Sequence, residues 1–149
     1  MVRDSIYAAL FALVTTGFPG TVGAATVVTA ERRLRDWADV SPDEQPYIGF
    51  LQRTEQVDPE TPGELAYWVL KVDVYVYVRV EKGQPHAPIL NPIVDAIHNN
   101  LKAGQNSDGS VTLGGLVMDA YISGTIETSE GSLGEQEVAI IPITMKLYD

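Results

Sequence analysis

Strict alternation of apolar and polar positions distinguishes one stretch of the chain from all others. From residue 70 to residue 80 every even position is aliphatic, whereas the odd positions are charged or tyrosine. A period of two puts successive side chains on opposite faces of a β-strand. The pattern therefore predicts one long strand over residues 65–80. Its valine face should be buried, and its opposite face should present Lys71, Asp73, Tyr75, Tyr77 and Arg79.

The amino-terminal segment has apolar residues at helical spacing. Ile6, Leu10 and Val14 recur every four residues and predict an amphipathic helix, with Asp4 or Ser5 as its N-cap, followed by a glycine-rich loop over residues 17–23. The alternative is the apolar core of a signal peptide, with residues 22–24 as its cleavage site. We adopt the helix, because the leading region carries no net side-chain charge. A bilayer-spanning helix takes about 20 apolar residues, so this shorter segment predicts no membrane contact.

A second helix is predicted from residue 91 onward. Asn91 is a suitable N-cap, and Pro92 is a suitable first helical residue. Ile93, Ile97 and Leu101 then recur every four residues and form one apolar stripe. We expect both helices to pack on the valine face of the long strand.

Four further strands complete the predicted sheet, over residues 24–40, 47–57, 112–127 and 136–148, with loops at 58–63 and 128–134. The first strand should carry a basic exposed face formed by Arg32, Arg33 and Arg35. Pro142 lies in the middle of the last strand, which indicates an edge position or a bulge. The elements predict one α+β domain over residues 1–149. It should have a mainly antiparallel sheet of about five strands, one long central strand and two helices packed on the sheet.

Composition limits the classes of function. A chain of 149 residues that is 45% hydrophobic can form one ordinary domain with a real core. The net charge of −10 argues against a nucleic-acid-binding surface, because DNA affinity comes largely from lysine and arginine contacts to phosphate. The sequence contains no cysteine, which excludes disulfides, thiolate nucleophiles and cysteine-ligated zinc. A cytosolic site of assembly fits this composition.

Candidate chemistry is sparse in the sequence. His86 and His98 are the two histidines, and both are interpreted as polar surface residues, although the loop that carries His86 could meet a partner. No residues have metal-ligand spacing, and residues 106–109 are interpreted as a turn rather than a calcium loop. Glu135 and Glu137 are expected to be solvated. Because no phosphate-binding or nucleophile motif occurs, we expect no cofactor and no enzymatic activity.

The polar face of the long strand is a candidate interface. Trp68, Tyr75 and Tyr77, together with Arg79, provide the mixture of aromatic and charged side chains that is common in protein–protein contacts. The alternative is that a second layer of the same chain, such as the first helix, buries these residues. Both interpretations are open from the sequence.

Five runs of the sequence together resemble a known family. They are QPYIGF at residues 45–50, the long valine strand, NPIVDAI at 91–97, LGGLVMDAYISGTIE at 113–127 and VAIIPI at 138–143. In this order they resemble the tail-terminator (tail completion) proteins of long-tailed bacteriophages. The resemblance spans nearly the whole chain and concerns pattern, without a catalytic signature. It implies α+β subunits in a hexameric ring that caps the tail tube, ends tail polymerisation and presents a surface to the head–tail connector protein.

The resemblance implies a non-enzymatic virion protein at the head–tail interface, assembled in the host cytoplasm. DNA would pass through an acidic ring without specific binding. The residues expected to contact neighbouring subunits or partners are Arg32, Arg33, Arg35, Trp68, Tyr75, Tyr77 and Arg79. The arginines would face carboxylates of a neighbour. The alternatives are a tail-tube or neck adaptor subunit, which would form open stacks, and a small hydrolase that uses aspartate and histidine.

Overall fold

The computed structural model describes residues 1–58, 62–129 and 134–149, which form two helices and eight strands. The predicted loops at 58–63 and 128–134 therefore lie partly outside the described residues. The helices are α1 (Arg3–Val14) and α2 (Ala87–Ala103). The strands are β1 (Gly20–Val22), β2 (Ala25–Val27), β3 (Thr29–Ala30), β4 (Tyr47–Asp58), β5 (Tyr67–Arg79), β6 (Asp119–Ile122), β7 (Glu127–Thr128) and β8 (Gln136–Tyr148).

One sheet organises the fold. Its strands follow the order β3-β4-β5-β8-β6, and β7 also pairs with β8. All pairs are antiparallel except β3 with β4, which run parallel over two residues. β1 and β2 form a separate hairpin, where the sequence predicts only a loop for residues 17–23. The α+β class is confirmed, and the sheet is mixed rather than purely antiparallel because of its β3 edge.

β5 is the long central strand that the alternation predicts. It pairs with β8 along its whole length and with β4 from Tyr67 to Tyr77. Its even-numbered aliphatic side chains are buried beneath both helices, and burying each one stabilises the fold by about 1.5–3 kcal/mol. The residues that meet in this core include Leu70, Val72, Val74, Val76 and Val78 of β5, Ile6, Leu10 and Val14 of α1, and Leu90, Ile93, Ile97 and Leu101 of α2.

Trp68 lies on the opposite face of β5 from the one predicted for it. It is even-numbered and so shares the side of Leu70, where it packs at the margin of the helix-covered core. The Arg3 guanidinium lies 5.2 Å from the centre of its ring. The prediction that grouped Trp68 with Tyr75 and Tyr77 on one face is therefore wrong, because the alternation itself separates them.

Residues 24–40 do not form the single strand predicted for them. β2 and β3 account for the first part, and 3₁₀ turns at Trp37–Asp39 and Pro42–Glu44 follow. Local side-chain bonds favour these turns over a strand: the Asp36 carboxylate accepts from the Ala38 N–H, and the Glu44 carboxylate accepts from the Ser41 N–H. Residues 31–46, named here the cover, lie over one end of the sheet. Arg32, Arg33 and Arg35 are part of this cover rather than of a strand.

Both helices begin at positions other than those predicted. The N-cap of α1 is Val2, with no side-chain hydrogen bond, so neither Asp4 nor Ser5 caps it. α2 begins at Ala87, and Pro92 lies inside the helix. The earlier start adds Leu90 to the buried stripe, and this gain in burial offsets the one hydrogen bond that Pro92 cannot donate.

The predicted strand over residues 112–127 is reduced to two short strands, β6 and β7. Leu113 and the two glycines after it have positive φ angles, which turn the chain before β6. β8 is confirmed, but it pairs with β5 on one side and with β6 and β7 on the other, and its register with β5 has no shift at Pro142. The edge position and the bulge predicted from Pro142 are therefore both wrong. The Pro142 carbonyl accepts from the Ser123 N–H at 3.0 Å. Because N and C=O of one residue point the same way in an antiparallel ladder, the proline nitrogen faces the gap between β6 and β7, and no bond to β5 is lost.

Candidate assembly surface

The face of the sheet opposite the helices is divided into two halves. The cover lies over one half and forms a second small core of Val40, Tyr47, Tyr77 and Val138. The other half, named here the groove, has a volume of about 680 Å³. Its charged and aromatic lining residues are Arg53, Lys71, Asp73, Tyr121 and Lys146.

Two tyrosines of the sheet hold the cover in place. The Tyr47 hydroxyl donates to the Arg33 carbonyl at 2.7 Å, and the Tyr77 hydroxyl donates to the Arg35 carbonyl at 2.8 Å. Their rings stack with centroids 5.3 Å apart. Burial raises the pKa of both phenols above the ordinary value. Tyr77 is only 4% exposed, so residues of its own chain bury it rather than a neighbouring subunit. The second layer that buries it is the cover, not helix α1.

Tyr75 lies at the boundary between the two halves. It is half-buried, packs against the edge of the second core and meets the Tyr77 ring edge-on at 6.3 Å. Desolvation raises its pKa. Part of its ring is still accessible, so a contact with a neighbour stays a prediction.

The arginines of the cover have carboxylate partners within the chain. Arg32 contacts Asp4 at 3.1 Å, and Arg33 contacts Glu31 at 3.5 Å. Arg79, at the exposed end of β5, lies 3.7 Å from Glu135. Exposed pairs of this kind contribute about 0–1 kcal/mol, so a neighbour's carboxylate can replace them at little cost. Their role in subunit contacts stays a prediction.

Arg35 differs from these arginines because it is a structural clamp. Its guanidinium bonds Glu44 through both terminal nitrogens at 3.1–3.2 Å and Glu31 at 3.1 Å. The Ser41 N–H and this guanidinium hold the pKa of Glu44 below its ordinary value. The contact therefore closes the cover on itself.

The groove combines one neutralised ion pair with two further cations. Asp73 is buried on β5 and accepts from Arg53 at 2.7 Å. Lys71 is exposed, and Lys146 lies 5.3 Å from the centre of the Tyr121 ring. A hydrogen bond with Tyr121 raises the pKa of Lys146. Among the described residues neither lysine forms an ion pair.

Sequence reasoning missed the groove and one exposed aromatic residue. Lys146 alternates with the buried Met145 and Leu147, so parity along β8 could have placed it on the polar face. Arg53 reaches the groove through a register shift between Gln52 and Thr54, which no pattern in the sequence indicates. Trp37 is 41% exposed in the cover, and only its acidic surroundings could have marked it as a surface residue.

The two histidines do not form a joint site. His98 is exposed on α2, as predicted. His86 and Glu137 are buried, so the predictions that His86 is a surface residue and that Glu137 is solvated are wrong. His86 Nε2 is 2.7 Å from the Glu135 carbonyl, and Nδ1 is 3.7 Å from the Glu137 carboxylate. The imidazole therefore ties the start of α2 to the start of β8. It lies about 18 Å along the helix from His98, too far for shared acid–base chemistry.

Clusters of metal ligands and membrane-spanning helices are both absent from the described part of the chain. Across residues 1–58, 62–129 and 134–149, no group of three or more His, Asp or Glu side chains has the arrangement that holds a metal ion. Within these same ranges, neither helix is long and apolar enough to cross a membrane. What the described residues do offer is an α+β domain with a half-covered polar sheet face. No protein-family model and no curated protein matches this sequence.

Proposed function

We propose that this protein is a non-enzymatic structural subunit of a phage tail. In this proposal identical copies form a ring, hexameric by the family resemblance, that caps the tail tube, ends its polymerisation and offers the surface to which the head connector joins. The observation that carries the proposal is the groove. Its basic and aromatic side chains lie uncovered beside the central strand, as is typical of a surface that binds another protein.

The edges of the sheet also favour lateral contacts. Beyond Ile48, β4 pairs only with β5, and the outer side of β6 pairs with no described strand. Exposed strand edges are a common place for another chain to add. The two edges differ in sequence and in neighbouring side chains. Two different patches on one subunit make a head-to-tail contact, which closes into a ring when the rotation between copies permits it.

The proposed mechanism is surface capping. One face of the ring complements the last ring of the tube, and the other face differs from it, so that no further tube subunit can add. The net charge of −10 suits a channel for DNA, because an acidic lumen repels phosphate and lets the duplex pass. No step of this mechanism requires a cofactor or a catalytic group.

The experiment is a tube-length assay with the tail-tube protein of the same phage. Polymerising tube protein should stop growing when this protein is added, and labelled protein should appear at one end of each tube. Label distributed along the tubes, or long tubes formed by this protein alone, would instead identify a tail-tube or neck adaptor subunit. Unchanged tube lengths with no label at the ends would contradict the proposal.

A further inference from the structure

We infer that the groove binds residues 36–43 of a second copy of this chain. These residues are named here the acidic turn, and all of their side chains except that of Val40, which is part of the second core, are exposed. The inference rests on the proposed function, because it supplies the contact that would join one subunit of the ring to the next. It concerns the residues of that contact, which the family resemblance does not provide.

The charge of the groove is opposite to that of the whole molecule. Three of the ten basic residues of the chain line it, while the net charge is −10. Asp73 neutralises Arg53, which leaves Lys71 and Lys146 in excess. The carboxylate of Asp119, which pairs with Lys146 across the strands, accepts instead from the Val111 N–H at 3.0 Å. The residues that line the groove thus carry two positive charges in excess, and the carboxylate of Glu127 lies near its rim, where it helps to raise the pKa of Arg53.

The acidic turn has the complementary charge. Asp36, Asp39 and Asp43 are exposed, and within the described residues none of them forms an ion pair. Trp37 lies among them with 41% of its surface exposed. Tryptophan is enriched among the residues that contribute most to protein–protein binding, and the carboxylates beside Trp37 are complementary in charge to a basic groove. Tyr121 and the lysines provide such a lining.

The acidic turn is also preorganised for binding. Two 3₁₀ turns shape it, and the hydroxyls of Tyr47 and Tyr77 hold its base to the sheet. A segment that is already ordered loses little conformational entropy on binding. The other exposed acidic residues that the structure describes are more scattered and lack this combination of three aspartates and one aromatic ring within eight residues.

The positions of the two surfaces favour a head-to-tail contact. The cover is anchored over Tyr77, whereas the groove surrounds Lys71, six residues and about 20 Å away along β5. The Trp37 carbonyl accepts from Gln136 Nε2 at 3.4 Å, and Gln136 pairs with Arg79 at the end of β5 that lies away from Lys71. The turn is therefore remote from the groove of its own subunit. Each copy thus donates one surface and accepts with the other, which is the geometry that a ring requires.

The test reverses each surface separately in the full-length protein. Lys71→Glu/Lys146→Glu makes the groove acidic, and Asp39→Lys/Asp43→Lys makes the turn basic. Each variant alone should self-associate about a hundredfold more weakly than the original protein in sedimentation equilibrium, because like charges then face each other. An equimolar mixture should restore association, since each altered surface meets a complementary one in alternating copies.

A matched control separates this contact from a general effect of charge. Lys82→Glu/Lys102→Glu changes two exposed lysines outside both surfaces. Each exchange changes the charge by −2, so this control has the same net charge of −14 as the variant with the altered groove. Its self-association should fall much less than that of the groove variant.

A second measurement does not depend on variants. Carbodiimide joins lysine amines directly to carboxylates that they contact, and mixing copies with light and heavy isotopes identifies the links that run between molecules. We expect such links from Lys71 or Lys146 to the aspartates of the acidic turn. The absence of these links at high protein concentration would overturn the inference, whether the protein associates or stays monomeric.

Other outcomes would contradict only one of the two proposals, either the contact between groove and acidic turn or the capping function. If both charge-reversed variants form rings as stable as those of the original protein, the inference is wrong but the proposed ring is not contradicted. Oligonucleotide binding that is lost in Lys71→Glu/Lys146→Glu, with self-association unchanged, would show a groove for polyanions instead. Restored association in the mixture that grows into open stacks would support the inference and contradict the capping function.

Discussion

Tyr77 shows how one hydroxyl determines which part of the sheet is covered. Its position on β5 follows from the alternation, but its burial depends on residues about 40 positions earlier in the chain. Parity along a strand places a side chain on a face and cannot tell what lies over it. The same parity would have placed Trp68 correctly on the helix side, so that error came from grouping aromatic residues by type rather than by position.

Tyr77→Phe should loosen the cover without disturbing the main core. The change leaves the Arg35 carbonyl without its donor at 2.8 Å and should lower the free energy of unfolding by about 1 kcal/mol. Urea unfolding measures this difference. Tyr148→Phe is the control, because Tyr148 is 54% exposed at the end of β8 and its loss of a hydroxyl should cost almost nothing. Equal effects of the two changes would show that the Tyr77 bond does not hold the cover.

Arg53 and Asp73 should behave as one unit in stability measurements. Arg53→Met leaves the buried Asp73 carboxylate without its cation and should lower the free energy of unfolding by about 2 kcal/mol. Arg53→Met/Asp73→Leu removes both charges and should be more stable than the single variant. Chemical denaturation at low protein concentration keeps self-association out of the comparison. A double variant that is less stable than the single one would contradict this account of the pair.

At the scale of elements, the spacing of apolar residues was sufficient to predict a strand or helix where one face of that element is buried along its whole length. β5, α1 and α2 were predicted on this basis, because their apolar positions repeat at the period of the element. The cover, the β1–β2 hairpin and the short strands β6 and β7 were not. Local turns and tertiary hydrogen bonds decide these segments, and neither leaves a repeat in the sequence. The groove escaped prediction for the same reason, since Arg53 reaches it through a shift in register.

The cover should make the protein sensitive to alkali. Burial raises the pKa of Tyr47 and Tyr77 in the folded protein, whereas tyrosines of the unfolded chain titrate near pH 10. The folded state therefore retains protons that the unfolded state releases. This contribution to stability is fully present below about pH 10 and is lost as the pH rises through the folded pKa values.

Denaturant unfolding monitored between neutral pH and about pH 11 checks this expectation. Tyr77→Phe should reduce the loss of stability above pH 10, because one of the buried phenols with a raised pKa is then absent; Tyr7 and Tyr75, whose pKa values are also raised, still contribute. Tyr148→Phe should leave the pH dependence unchanged. An equally steep loss in Tyr77→Phe would show that other groups determine the alkaline limit.

At the scale of the whole molecule, the chain is acidic but concentrates opposite charges on two parts of one sheet face. The groove has an excess of lysine, and the acidic turn has three exposed aspartates. Copies with a net charge of −10 repel one another at long range, and salt screens this repulsion together with the local attraction. Only a contact that brings the two surfaces together can outweigh the general repulsion. The domain therefore favours one relative orientation of its neighbours over others.

The symmetry of the assembly tests the central claim most directly. Native mass spectrometry gives the number of subunits, and class averages from electron microscopy show whether the particles are closed. We predict closed rings of one subunit number, formed by the protein alone or on the end of the tail tube. A strict monomer at high concentration and with tube protein present, or open stacks of indefinite length, would contradict the account.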